Sequence, residues 1–179
     1  MIVLAIDPGY EQSAWVIFDG ERVCHFGTEP NADLLERLRV GVAERPWFDA
    51  LVIEGIESMG MAVGKEVFET VFWSGRFVQR VIDTYIQSGE GTGGWSRIYR
   101  RAVKIHLCGS VRAQDSNIRQ ALLDRFGGSL KAIGHRRQPG PLHGLKKHEW
   151  SALALAVTWM DLQDPKAADA RIHAAMVGF

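Results

Sequence analysis

The chain contains 179 residues, of which 46% are hydrophobic, and its equal numbers of acidic and basic residues give a net charge of zero. This length and apolar content predict one globular domain with a substantial core. We expect no membrane span, because no stretch approaches the roughly 20 apolar residues that one requires. The apolar beginning is too short for a signal peptide and has no basic residue before it, so we expect a cytoplasmic protein.

The charges are unevenly distributed along the chain. Residues 1–96 contain 7 basic and 15 acidic residues, whereas residues 97–147 contain 12 basic and 2 acidic ones. An acidic part that can hold cations, beside a basic part that can hold phosphates, is typical of an enzyme that acts on nucleic acid. A solvated basic face without a partner is the alternative.

The chain begins with a predicted β-hairpin. The unbroken apolar run 2–6 indicates a strand that is buried on both faces, and residues 13–18 indicate its partner strand. Asp7 ends the first strand just before Pro-Gly, where a buried carboxylate is costly unless something compensates its charge. A divalent cation would compensate it, while a simple turn cap is the alternative.

A third strand, a helix and a second buried strand follow. Residues 22–27 can extend the hairpin into an antiparallel meander, and residues 34–43 have apolar side chains at helical spacing. Residues 47–53 indicate a second buried strand, which ends at Glu54. A helix between two such strands predicts a crossover, with the strands parallel and adjacent. Asp7 and Glu54 are therefore expected at the same edge of the sheet.

The middle of the chain is predicted to form a loop and a long helix. Met59 lies in a Gly- and Met-rich stretch that indicates a surface loop, where it contacts a base or a partner, or simply packs. Residues 65–87 have the spacing of a long helix, and the aromatic face that includes Phe68 indicates either a dimer interface or ordinary core. Gly75 suggests a close approach to another backbone.

The basic segment is predicted to contain a strand, a helix and a loop. Residues 100–107 indicate a strand that carries Lys104, and residues 116–126 indicate a helix that Asp115 or Ser116 can cap. The Pro- and Gly-rich loop 135–144 is basic and suits the phosphates of a nucleic-acid backbone.

The last helix is predicted to begin near His148 and to pack closely against the sheet through its alanines. His148 and Ser151 share one face of its first turn, whereas Glu149 points about 100° away. We treat residues 1–160 as the main domain and residues 161–179 as a helical tail of unknown role.

These pieces predict a metal-dependent chemistry. Carboxylates at two strand ends, with a His or Glu at a helix start, form a set of hard oxygen ligands with one imidazole, which suits Mg²⁺ or Mn²⁺. Two such ions about 4 Å apart can activate a water and stabilise the leaving oxygen in phosphodiester hydrolysis. The basic segment would bind the flanking phosphates.

Four stretches, in the same order, resemble motifs of RuvC-type Holliday junction resolvases of the RNase H-like superfamily; they read MIVLAIDPG, LVIEGI, VKIHLCGSVRAQDSNI and HEWSALALAVTW. The resemblance covers residues 1–160. It implies an α/β fold with an RNase H-like mixed five-stranded sheet, in which an antiparallel meander joins parallel strands between flanking helices.

The resemblance also implies the site residues. Asp7 and Glu54 match the first two catalytic acids, and His148 stands at the third position, where the family accepts histidine. Ser151 stands where the fourth acid is usually aspartate. Either Ser151 acts through water, or Glu149 replaces that acid, or the second metal site is degraded. The implied catalytic residues are Asp7, Glu54, His148, Glu149 and Ser151, the first four as metal ligands.

Further residues match the family's contacts with DNA. Lys104 and Arg112 match basic residues that face the junction backbone, and Phe68 or Met59 lies near the loop that inserts beside the junction centre. The candidate nucleic-acid-binding residues are Lys104, Arg112, Arg119, Arg136, Arg137, Lys146, Lys147, Met59 and Phe68. The family also implies a homodimer that acts on four-way junctions with Mg²⁺ or Mn²⁺, in a compact form that bacteria and their phages carry.

The sequence thus predicts a metal-dependent, structure-selective endodeoxyribonuclease that resolves Holliday junctions or other branched DNA by paired phosphodiester hydrolysis. A non-catalytic dimer that binds branched nucleic acid on the same fold is the alternative, and Ser151 is the residue that favours it.

Overall fold

A computed structural model describes residues 1–40, 48–57, 60, 63–87, 89 and 94–163. The described strands form a mixed five-stranded sheet in the order β3-β2-β1-β4-β5. β1, β2 and β3 form the predicted antiparallel meander, whereas β4 runs parallel to β1 and β5 runs parallel to β4. The strands are β1 (Val3–Asp7), β2 (Gln12–Phe18), β3 (Val23–Pro30), β4 (Ala50–Gly55) and β5 (Gly94–Tyr99).

Helices flank the sheet, as the resemblance implied. A two-stranded ribbon of β6 (Gly134–His135) and β7 (Gln138–Pro139) stands apart from the sheet. The helices are α1 (Asn31–Val40), α2 (Lys65–Gln87), α3 (Arg100–Cys108), α4 (Asp115–Arg125), α5 (Ser129–Ile133) and α6 (Glu149–Gln163). No helix in the described ranges is both long and apolar enough to cross a membrane.

The central strand β1 is apolar throughout because both faces of the sheet are covered. Val3 and Ala5 point into a cluster of buried side chains with α3, α4 and α6. Leu4 and Ile6 point to the opposite face, into a second cluster with α1 and α2. Successive residues of a strand face opposite sides, so a strand between two helical layers reads as a continuous apolar run.

The predicted strand over residues 100–107 is wrong, because these residues form helix α3. The apolar residues Val103, Ile105 and Leu107 alternate with polar ones, which imitates a strand. The fifth strand lies one segment earlier, in β5. Ile98 is the one buried residue of β5, all of which is described, because this strand forms the edge of the sheet. Its exposed residues gave no apolar pattern to recognise.

Smaller predictions concern the ends and the surroundings of the helices. Asp115 is the first residue of α4 rather than its cap; Gln114 is the cap residue, and it exchanges hydrogen bonds with Asn117 in a capping box. A Cβ at Gly75 would meet no atom of the described chain within 4 Å, so the close approach to another backbone stays a prediction for a partner helix. Helix α6 runs through residue 160 to Gln163, and residues 164–179 of the predicted tail lie outside the described residues.

Candidate functional site

The strand ends bring Asp7 and Glu54 side by side. β1 and β4 are parallel and paired with Ile6 opposite Ile53, so the next residue of each strand emerges at the same edge of the sheet. Both carboxyl groups are largely enclosed, with side-chain exposures of 15% for Asp7 and 13% for Glu54. The topology therefore places two carboxyl groups next to each other in a poorly hydrated position.

The turn after Asp7 is held by a closed set of hydrogen bonds. The Gly9 N–H donates to the Ser13 hydroxyl at 3.2 Å, and this hydroxyl donates to Asn31 Oδ1 at 2.7 Å. Asn31 Nδ2 then donates to the Gly9 carbonyl at 2.9 Å. Ser13 and Asn31 are both buried, so these bonds are shielded from water and fix the direction in which the chain leaves Asp7.

His148 approaches Asp7 from the start of α6. Its Nδ1 lies 3.3 Å from Asp7 Oδ2, while 71% of its side chain stays exposed. The hydrogen bond to Asp7 is the main reason why the pKa of His148 is raised. The structure thus brings together three of the sequence-predicted residues: Asp7, Glu54 and His148.

The pair of carboxyl groups is electrostatically unfavourable. Burial is the largest cause that raises the pKa of Glu54, and together with the charge of Asp7 and a hydrogen bond to it, against the opposing effect of Arg100, it brings this pKa to about 8. Near neutral pH, the metal-free protein therefore keeps a proton on Glu54 beside the Asp7 carboxylate. Such a site gains from a bound cation, which would remove both the repulsion and the need for that proton.

The donor set is rich in oxygen but open. Asp7 contacts Glu54 and His148 separately, and within the described ranges no three His, Cys, Asp or Glu side chains are placed to hold one metal ion. Mg²⁺ uses one or two protein carboxylates and fills its remaining positions with water and phosphate oxygens. Asp7 and Glu54 fit this mode of binding, with His148 as a nearby nitrogen donor.

Glu149 has a different environment from these three residues. It is buried, and its Oε2 accepts a hydrogen bond from the Lys146 N–H at 2.7 Å. Its Oε1 accepts one from the Thr28 hydroxyl at 3.2 Å. In the described part of the chain, these contacts join the start of α6 to β3 rather than to Asp7. Ser151, in contrast, is half-buried in the groove wall that includes His148.

A groove of about 860 Å³ lies between α4 and the start of α6, and it is lined by Arg100 and His148, the neighbours of Glu54 and Asp7. Three of the predicted nucleic-acid contacts line it: Arg119, Lys146 and Lys147. The Arg119 guanidinium lies 4.9 Å from the ring centre of Trp150, which positions its charge at the groove wall. Lys147 has a φ of 36°, an uncommon left-handed conformation that directs the chain into α6 just before His148.

The other predicted contacts lie apart from this groove. Lys104 is half-buried on α3, one turn beyond Arg100, and Arg112 is exposed between α3 and α4. Arg136 and Arg137 are exposed at the tip of the β6–β7 ribbon. Phe68 is exposed on α2. Met59 lies outside the described residues.

Arg100 is a residue of the site that the sequence interpretation did not single out. It is the first residue of α3, directly after β5, whose Tyr99 is paired with Gly55 of β4. Its Nε lies 3.9 Å from Glu54 Oε1, and its Nη2 lies 2.5 Å from Asp115 Oδ1. Assigning residues 100–107 to a helix would have placed Arg100 at the same edge of the sheet as Glu54.

Comparison with known proteins shows the fold. No protein-family model matches the chain, and no curated protein matches its sequence. RuvC of Thermus thermophilus matches with a TM-score of 0.58 and 18% identity, over 88% of this chain and 92% of that one. T. thermophilus RuvC in complex with a Holliday junction substrate matches with a TM-score of 0.52 and 20% identity, over the same shares. The chain therefore has the RNase H-like fold of RuvC-type resolvases, as its sequence motifs predicted.

Proposed function

We propose that the protein is a metal-dependent endodeoxyribonuclease that cuts branched DNA, and that Asp7 and Glu54 form its catalytic site. The observation that carries the proposal is the placement of these two largely enclosed carboxyl groups at neighbouring strand ends, next to a basic groove. Two carboxylates serve to hold divalent cations, and the groove is suited to the phosphates of a DNA strand. A phosphodiester substrate accounts for both parts of the site, because its phosphates would bind to the basic groove and to metal ions held by the carboxylates.

We propose that Asp7 and Glu54 hold Mg²⁺ or Mn²⁺, with His148 as a further ligand and a second ion nearby. When bound, such ions activate a water and stabilise the leaving oxygen of an in-line displacement. Ser151 is the better candidate for a water-mediated contact with the second ion, because the Glu149 carboxylate already accepts two hydrogen bonds. Lys146, Lys147 and Arg119 would bind the phosphates next to the cleaved one.

Branched DNA is the proposed substrate class. The protein with the most similar fold among those described above, T. thermophilus RuvC, has been solved in complex with a Holliday junction substrate. A four-way junction offers two equivalent strands, and its resolution requires two paired cuts. A homodimer would provide the two catalytic sites.

Helix α2 is the proposed dimer contact. Phe68, Val71 and Phe72 lie on it with half or more of their surfaces exposed. A contiguous exposed apolar face of this kind is typical of a protein–protein contact. Gly75 lies one turn further along the same helix, and the space around it would allow the α2 helix of a second copy to come close.

A cleavage assay tests the proposal. Wild-type protein should nick a labelled four-way junction in Mg²⁺ or Mn²⁺, leave a linear duplex of the same sequence intact, and stop when EDTA is added. Asp7→Asn keeps the shape of the side chain but weakens metal binding, and it should slow cleavage by at least about 100-fold. Binding of the junction in EDTA should change little. Cleavage by Asp7→Asn at the wild-type rate would refute the proposed mechanism.

The alternative is a dimer that binds branched nucleic acid without cutting it. It is favoured by Ser151, and by the open arrangement of ligands in the described part of the chain. Such a protein would bind the junction equally well in EDTA and in Mn²⁺, and it would not nick the junction at any metal concentration. The same assay therefore separates the two functions.

A further inference from the structure

Arg100 stands at the boundary between the carboxyl groups and the basic groove. Its guanidinium faces Glu54 on one side, and its side chain lines the groove together with Lys146 and Lys147. Only 26% of the side chain is exposed. A cation in this enclosed position is screened less by water than the lysines at the groove surface are. A phosphate bound at the end of the groove next to Glu54 would lie beside this guanidinium.

The contacts of Arg100 do not account for its whole hydrogen-bonding capacity. A guanidinium has five N–H donors. Within the described chain its hydrogen bond goes to Asp115, and the 3.9 Å separation from Glu54 is too long for a second one. The Asp115 side chain is 81% exposed, so this ion pair adds little to folding stability. Its clearer consequence is to fix the direction of the guanidinium.

We propose that Arg100 is a catalytic residue that binds the non-bridging oxygens of the cleaved phosphate, and that Asp115 is the residue that positions it. This inference rests on the proposed function. Planar guanidinium groups bind phosphate through two parallel hydrogen bonds, which orient the phosphorus as well as attract it. During hydrolysis negative charge increases on the phosphoryl oxygens, and a cation already in place stabilises that charge without reorganisation.

A binding experiment without metal tests the contact itself. The phosphate that wild type cuts in Mn²⁺ is mapped first, and a junction is then made with a neutral methylphosphonate at that position. In EDTA, Arg100→Gln should weaken binding of the normal junction by about tenfold, as the loss of a charge-assisted hydrogen bond predicts. On the methylphosphonate junction, Arg100→Gln should have the same affinity as wild type, because the substitution and the methylphosphonate remove the same contact.

Arg101→Gln is the matched control. Arg101 is the next residue of α3 and is exposed, and its side chain points about 100° away from that of Arg100. This variant should respond to the methylphosphonate as wild type does. If the tenfold loss of Arg100→Gln persists on the methylphosphonate junction, Arg100 does not contact the cleaved phosphate and the inference is overturned. If Arg100→Gln does not fold, the binding of Arg100→Lys to the normal and the methylphosphonate junctions is compared in the same way, and the same outcome overturns the inference.

Single-turnover cleavage in Mn²⁺ gives the second readout. Arg100→Gln should be slower by about 100-fold and Arg100→Lys by about tenfold, because lysine keeps the charge without the planar pair of donors. The cleavage rate of Asp115→Asn should lie between those of Arg100→Lys and wild type. A wild-type rate for Arg100→Gln would overturn this inference alone, whereas a wild-type protein that cuts no junction would overturn the proposed function and this inference with it.

Discussion

Replacing Glu54 with glutamine should stabilise the metal-free protein, and the gain should increase with pH. Between its ordinary pKa of 4.5 and its folded-state pKa of about 8, Glu54 is protonated in the folded protein and ionised in the unfolded chain. The folded state then holds one more proton, so the free energy of unfolding falls as the pH rises. Glutamine carries no charge, and its amide can donate a hydrogen bond to Asp7, as the protonated Glu54 carboxyl group does in wild type.

The size of the effect follows from the raised pKa. A pKa that moves from 4.5 to about 8 corresponds to about 5 kcal/mol against the charged form, at about 1.4 kcal/mol per tenfold change in proton affinity. Relaxation of the surrounding side chains and entry of water reduce the cost of charging a buried group. We therefore expect Glu54→Gln to gain about 3 kcal/mol over wild type between about pH 5 and about pH 9, with the difference constant above the folded-state pKa.

Urea denaturation in EDTA across this pH range measures the difference directly. Glu21→Gln is the control, because Glu21 is an exposed glutamate in the turn before β3. Added Mn²⁺ should reverse the order of stability, since it binds wild type and not the variant. A stability difference that does not change with pH would show that the pKa of Glu54 is not raised in the folded protein.

Three further predictions concern the surroundings of the site. His148→Asp should raise the ratio of Mg²⁺-supported to Mn²⁺-supported cleavage, because it replaces a nitrogen donor by an oxygen donor. Glu149→Ala removes the acceptor of two hydrogen bonds at the start of α6, and it should lower the free energy of unfolding by about 2 kcal/mol in urea denaturation. Gly9→Ala should lower it by about 1–3 kcal/mol, because the new Cβ would meet the Gln12 carbonyl oxygen. Gly75→Ala should instead raise it by about 1 kcal/mol in the separated subunit, where the new Cβ on this helix would meet no atom of the described chain.

Each of these predictions can fail separately. His143→Asp, at an exposed histidine near the β6–β7 ribbon, should leave the metal preference unchanged, and the same ratio for His148→Asp and wild type would remove His148 from the ligands. A Glu149→Ala protein as stable as wild type would contradict the role of Glu149 at the start of α6. Equal changes in the free energy of unfolding for Gly9→Ala and Gly75→Ala would contradict the tight turn after Asp7.

Local sequence patterns predicted an element correctly where burial imposes a clear period on its apolar residues. The apolar run of β1 predicted a central strand because helices cover both faces of the sheet. Helix α2 was predicted with its observed limits, Lys65 and Gln87, because its apolar residues recur at helical spacing. The meander and the parallel pairing of β1 with β4 followed from turn residues and from the crossover helix.

Patterns were misleading where an element is little buried. β5 has Ile98 as its one buried residue among the six described, and α3 has Val103 as its one buried residue among the nine described. Neither element has an apolar pattern of its own period, so the strand was assigned one segment too late. That error concealed Arg100, which as a strand residue would have had no reason to lie near Glu54.

The sequence by itself determined the antiparallel meander, the parallel pair of β1 and β4, the two strand-end carboxyl groups and the helix that begins after His148, because each depends on short-range spacing and on burial. The tertiary structure decided which side chains meet. It turned Glu149 toward Thr28 and Lys146, and it placed Arg100, the first residue of α3, beside Glu54. Contacts between distant segments depend on how the helices pack on the sheet. The pattern of residues within a single segment does not predict that packing.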